Sequence, residues 1–450
     1  MQHIIITTSS GLNDLTGNTP KYFDVQADCT VTGNVQFAPN SVLHFSGGKL
    51  IINGNLTGVN TVIDASPVQI LQVSGSISGT WHINTAYPEW FGANGYGGSA
   101  SDNDDAIAKT MALIPGEIRF TQGTYLVSET VYTTQIDGNN QPLSQDSTNI
   151  YIGKNATLKA ASAMTVMIMG DYPYSAGVYG LTHLPKIYGG GTIDGNNMAN
   201  IAIKLHQGYR VMVEHLYIKN ILCYGFVAAE NSAAGGSCVV RDCVFENHPN
   251  TNPNASDYGL LDQAIAIHNN RADCNYENIM IIDFKVAVKH CALNGKYINV
   301  HAWLSSSLYW SESVVFKCHQ PDLNLYCCDA DTMRKLVEVE NVPYFFANII
   351  NCRAYKNNSI VSNELASSYK PMAIDKGDME WSQIMIIGGV YWFDVEYVLI
   401  SALSPSDDPD IGNSRLDRHY DRISVVRYNR EKVQNGFIYD DYVCPLFHNQ

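Results

Sequence analysis

Four short runs decide the fold: Ala202-Ile203-Lys204-Leu205-His206, Gly225-Phe226-Val227-Ala228-Ala229-Glu230, Ala264-Ile265-Ala266-Ile267-His268 and Val286-Ala287-Val288-Lys289-His290. Each reads as a strand, and each is too short to bury a face alone. A companion set lies between them: Val211 to Leu216, Cys238 to Phe245 and Ile279 to Ile282. The separations are near one turn of a stacked coil, so equivalent runs in successive coils must pack on each other. The second interval is longer and carries an insertion, His248 to Asp262. A long loop leaving a rigid coil is where function usually sits.

The same rhythm extends outward. Upstream, Lys186 to Asn196 holds a Gly-Thr-Ile-Asp-Gly turn at 191–195. Residues 23–85 are short strands such as Thr30 to Phe37, Ser41 to Phe45 and Lys49 to Asn55, punctuated by Gly-Asn pairs that suit tight corners. Downstream, Ser401 to Arg415 is a Ser/Pro/Asp loop, followed by strand candidates Arg422 to Tyr428 and Phe437 to Tyr439. The expected organisation is a β-rich leader over 1–86, a coiled body over 87–400 and a closing or oligomerisation segment over 401–450.

Residues 87–126 break the rhythm. Ile107, Met111 and Ile114 recur at helical spacing, so a short helix is expected near 104–114, with Asp102 or Asn103 as its cap. Around it stand Trp90-Phe91-Gly92-Ala93-Asn94-Gly95, the Asp102 to Asp105 cluster, and Ile118-Arg119-Phe120-Thr121-Gln122-Gly123-Thr124-Tyr125-Leu126. This arrangement resembles the N-terminal signature of the pectate-lyase-like right-handed parallel β-helix superfamily. It departs at Tyr96, where that family has Asp, at the extra residues Gly98 to Ala100, and at Thr121, where it has Pro. The stretch Trp81 to Ala93 also resembles a leader on β-helical tail proteins of phages and prophages of gut Bacteroidales. The resemblance implies an all-β, right-handed parallel β-helix with a capping helix. It also implies a homotrimeric tail spike or fibre on the virion that binds and depolymerises a host surface polysaccharide. A bacterial polysaccharide lyase or glycoside hydrolase, extracellular or on the cell surface, and a non-catalytic β-helical adhesin are the alternatives.

Composition narrows the classes. The 450-residue chain carries a net charge of −15 and only 16% charged residues. With no basic stripe, no nucleic-acid partner is expected, and no apolar run reaches the ~20 residues of a membrane span. The start, Met1 to Thr8, lacks the basic and apolar regions of a signal peptide, so synthesis in a host cytoplasm is expected. The 11 cysteines include no CxxC pair and read as buried thiols, not a disulfide framework. Asp329 and Asp331, and Asp407, Asp408 and Asp410, lack EF-hand spacing, so neither metal nor cofactor is expected.

Glycan cleavage needs a proton donor and a base, or a base with a cation for an enolate-like intermediate. The polygalacturonase set is absent: Asn250-Thr251-Asn252 stands where Asn-Thr-Asp would be read. The Arg-x-Pro-x-x-Arg motif of pectate lyases is absent too. If Ile203, Leu205, Ile265 and Ile267 face inward, alternation turns Lys204, His206, Ala266 and His268 outward. That face, with Glu230 at a corner and Asp257 and Asp262 from the insertion, nominates Glu230, Asp257, Asp262 and His268 as catalytic. His206 and Lys289 are nominated to bind substrate, with Tyr258, Trp303, Tyr309 and Trp310 as sugar platforms. Plain solenoid surface and core packing are the competing readings. Asp242 and Glu246 are expected to be solvated turn acids.

Overall fold

The computed structural model describes residues 1–9, 15–134, 148–169, 185–206, 210–228, 237–355, 359–362, 365, 372–375, 381–391, 421–429 and 444–445. Ala229, Glu230, the 401–415 loop and Phe437 to Tyr439 lie outside them. The described chain is an all-β parallel solenoid with one α-helix. It divides into two compact units, Met1–Asp194 and Gly195–Gln450.

In the first unit the leader is itself coiled. Cys29–Val31, Leu50–Ile52 and Leu71–Val73 form one parallel column, and Asn34–Gln36, Asn55–Asp64 and Ser76–Trp81 another. Gly33, Gly54 and Gly75 precede successive strands of the second column. A Cβ on Gly54 would lie 2.2 Å from the Gly33 carbonyl oxygen, and one on Gly75 would lie 1.9 Å from that of Gly54. Only a glycine lets the backbones stack that closely. The helix α1 (Ala100–Ala112) then interrupts the coils. Its cap is Ser99, one turn earlier than the sequence suggests, and Ser99 Oγ accepts from the Asp102 N–H at 3.2 Å. Asn103 and Asp104 are buried and stitch the helix to the next coil. Asn103 donates to the Leu126 carbonyl at 3.0 Å, and Asp104 accepts from the Ser128 N–H and hydroxyl. Glu117–Val127 then pairs with Asn149–Ala160.

In the second unit the four deciding runs are equivalent strands. Ile201–Leu205, Tyr224–Ala228, Ile265–Asn269 and Val286–His290 pair in parallel, continuing through Val314–Cys318 and Lys335–Val339. The companion runs build the opposing column, Val211–Glu214 to Cys238–Arg241 to Asn275–Ile282 to Lys296–Trp303. Aromatic rings fill the interior: Tyr276 and Tyr297 stack at 5.1 Å, and Tyr297 meets Phe316 at 5.0 Å. The described cysteines are all free, and most are buried.

One corner is a left-handed ladder. His215, Asp242, Asn278, Asn299, Cys327 and Asn351 all hold φ between 52° and 55°. Asn278 donates to Asp242 Oδ1 at 3.0 Å across 36 residues, and Asn299 donates to Asn278 Oδ1 at 3.0 Å across 21. Asp242 is therefore a ladder rung and not merely a solvated turn acid. Asn278→Ala is expected to cost about 2 kcal/mol, from the left-handed backbone and the lost bonds. Asn278→Gly, which keeps the conformation, should cost about half as much. Equal urea midpoints for the two variants would contradict this account.

Candidate active site

The insertion leaves the solenoid after Val244–Glu246 and returns before Ile265–Asn269. Register ties Lys219 to Glu246, Glu246 to Ile282 and Ile282 to Trp303. The next residues therefore form a second corner column: Asn220, Asn247, Asp283 and Leu304. Asn247 is fully buried and exchanges two hydrogen bonds with the Ile221 backbone, at 3.0 and 3.1 Å. One coil on, the column holds a carboxylate instead of an amide. Asp283 sits at φ 60°, which Asp tolerates better than most residues, and is 5% exposed. Its two oxygens accept from the Ser305 N–H and hydroxyl, each at 2.6 Å. Burial pushes its carboxyl above the usual range; the Ser305 bonds and His248 oppose that rise, and Glu246 adds to it.

The returning end of the insertion brings Asp262 against the Tyr309 phenol. Tyr309 is 4% exposed, and its hydroxyl faces the Asp262 carboxylate. Burial first, then Asp262, Asp283 and Tyr258, push the phenol upward. Trp310 is fully buried, and its Nε1 has no hydrogen-bond partner among the described residues. Glu246 accepts from the Tyr217 hydroxyl and pairs with His248 at 3.2 Å. It is a member of this cluster, which corrects its reading as a solvated turn acid.

The nominated residues divide. Asp262 belongs to the cluster. Trp303 is half-buried and in register with Ile282, so it borders the cluster. Tyr258 is 42% exposed on the insertion, and Asp257 is exposed and held by Asn250 at 2.7 Å. Glu230 lies outside the described residues. The buried rings of Tyr309 and Trp310 present no platform to solvent, because the turn that carries them packs inward. His268 sits at the far end of its strand from Asp262, and the strand's rise of ~3.3 Å per residue separates them. It is 5% exposed, and its ring lies 5.0 Å from that of Tyr224. Ala266 is fully buried, not outward. Ala266 is in register with Gly225, where a Cβ would lie 2.6 Å from the buried Phe245 ring, so that position faces the core; His268 is shielded by side chains stacked at the ~4.8 Å strand spacing. His206 and Lys289 remain half-buried on that sheet. Asp283, Glu246 and His248 were not nominated, and their signal was the corner column.

The raised carboxyl of Asp283 has a stability consequence. A group held neutral by the fold adds stability below its unfolded value, near pH 4. That contribution is lost as pH rises through the folded value, where the native state resists deprotonation. Asp283→Asn lacks this titration. Its melting temperature relative to the parent should therefore rise from about pH 4 upward and level off once pH passes the folded value of Asp283. A constant difference over that window would mean that Asp283 is not held neutral.

No protein-family model matches this chain, and no curated protein matches it in sequence. Among solved structures, it is similar to "Geobacillus virus E2 - ORF18" at 12% identity and a TM-score of 0.34. The similarity covers 77% of this chain and 61% of that protein, so the chain spans under two thirds of the virus protein's length. Among the described residues, no helix is long and apolar enough to cross a membrane.

Proposed function

We propose that this chain is a spike or fibre protein of a phage or prophage tail that binds a host surface polysaccharide and cleaves it at Asp262 and Asp283. The observation that carries the cleavage is Asp283, a buried carboxyl held above its usual range beside Glu246, with Asp262 and Asp283 both acting on the Tyr309 phenol. Glycosidic cleavage requires a proton donor and a base, and a carboxyl raised above its usual range suits the first role. Asp283 supplies the proton and Asp262 is the base. Trp303 and Tyr258 offer aromatic surface at the rim, which suits the apolar face of a sugar ring. The virion assignment rests on the resemblance of Trp81 to Ala93 to tail-protein leaders, and with it comes a homotrimer acting on Bacteroidales glycans.

The test is incubation of the purified protein with capsular and surface polysaccharides from Bacteroidales strains, followed by size chromatography. Shortened chains are expected from at least one glycan. Retained binding with no shortening for any of them would make the protein an adhesin and the carboxylates ordinary surface.

A further inference from the structure

We infer that Cys238 and Cys274 form a peroxide-sensitive pair that closes into a disulfide between successive coils of the second unit. Val239 is in register with Asn275, so Cys238 and Cys274 stand directly across from one another in neighbouring coils. Parallel partners lie ~4.8 Å apart and turn their side chains to the same face. That spacing falls inside the ~4.4–6.8 Å between Cα atoms that a disulfide spans. Both thiols are buried and hydrogen-bonded to each other. A second pair offers a comparison. Asp329 is in register with Arg353, which sets Cys328 across from Cys352, again buried and again hydrogen-bonded. Exposed Cys327 stands between Asn299 and Asn351 in the left-handed ladder and has no thiol across from it.

The surroundings of the two pairs differ. The Cys238 thiol donates to Cys274, and that bond, with the buried Arg271 guanidinium beside the pair, holds Cys274 below the usual thiol range against its own burial. Burial pushes the Cys238 and Cys328 thiols up, and no cation is among the groups that act most strongly on Cys328. Cys274 is therefore the nucleophile. Its thiolate attacks one oxygen of a peroxide, the O–O bond breaks, and the departing hydroxide takes the proton that Cys274 gave up. Cys274 is then a sulfenic acid. The Cys238 sulfur attacks the sulfenic sulfur as the S–O bond breaks, and the leaving hydroxyl takes the Cys238 proton as a second water. The two thiols lose two electrons and the peroxide gains them. The bond closes a ring around residues 239–273, which contain the whole insertion from His248 to Asp262. It pins both ends of the coil that carries the insertion.

The experiment treats the full reduced chain with dilute hydrogen peroxide, blocks the remaining thiols with iodoacetamide in denaturant, and maps the tryptic peptides by mass spectrometry. A Cys238–Cys274 cross-link is expected, forming at least about fivefold faster than any Cys328–Cys352 cross-link. The melting temperature should rise by at least about 3 °C and fall back when dithiothreitol is added. In Cys274→Ala neither the cross-link nor the rise should appear. Recovery of Cys238 and Cys274 without a cross-link overturns the inference. So does closure of Cys328–Cys352 at an equal or greater rate, or a reversible rise that persists in Cys274→Ala. If that variant does not fold, the peptide map of the parent decides alone.

Discussion

Asp283→Asn is expected to slow glycan cleavage by about 10²- to 10⁴-fold and to leave binding of the intact glycan within about twofold. The size follows from the role. The group that protonates the leaving oxygen acts only as the bond breaks, so its loss falls on turnover and not on ground-state affinity. The substitution is gentle on the fold. An amide can still accept from the Ser305 N–H, and the Ser305 hydroxyl can turn to accept from the amide. The pH profile supplies a second readout. The parent should lose activity on the alkaline side as Asp283 ionises, at a value above that of an ordinary carboxyl. The variant's residual activity should lack that limb. A loss below tenfold, or an unchanged alkaline limb, would remove Asp283 from the chemistry. Asp262→Asn should show a comparable loss of turnover, since acid and base act in one step.

Gly75→Ala is expected to destabilise the first unit by about 3 kcal/mol, at the upper end of overpacking costs. The added carbon would stand 1.9 Å from the Gly54 carbonyl oxygen, and that oxygen cannot withdraw. It accepts the hydrogen bond from the Ser76 N–H at 3.0 Å, one of the bonds that set the coil spacing. Gly54→Ala meets the same obstacle one coil earlier. Asn55→Ala is the control: it removes exposed bonds to Asn34 and Ser76 but adds no atom to the stack. About 1 kcal/mol is expected for it. Denaturant midpoints of the three variants separate the accounts. Equal losses would mean that close backbone approach is not what these glycines provide.

The coils were legible because strand pairing in a solenoid repeats one local pattern. The four runs could be read as equivalent strands from spacing and alternation, and the register pairs them, Ile267 with Val288. The leader and the helix were legible as elements, although α1 begins a turn earlier, at the Ser99 cap. The site was half legible. Asp262 stood out because it ends a conspicuous insertion. Asp283, in Ile282-Asp283-Phe284, looks like any acid after a strand until the corner column is aligned and Asn247 is seen below it. Burial was the weakest inference. Alternation placed Ala266 and His268 in solvent, but both are buried, Ala266 at a position whose equivalent in the preceding coil faces the Phe245 ring. A single strand's pattern says nothing about side chains contributed from residues 20 or more positions away.

The left-handed ladder has a consequence for how such a protein can change. The rung from Asp242 to Asn278 spans 36 residues and the rung from Asn278 to Asn299 spans 21, yet both close with the same bond at 3.0 Å. The surplus chain is accommodated at the corner after Asn247, without shifting the strands on either side. Insertion and scaffold are therefore separable parts in this coil. A new segment of different length and chemistry can be spliced between His248 and Asp262 while Asp283 keeps its place.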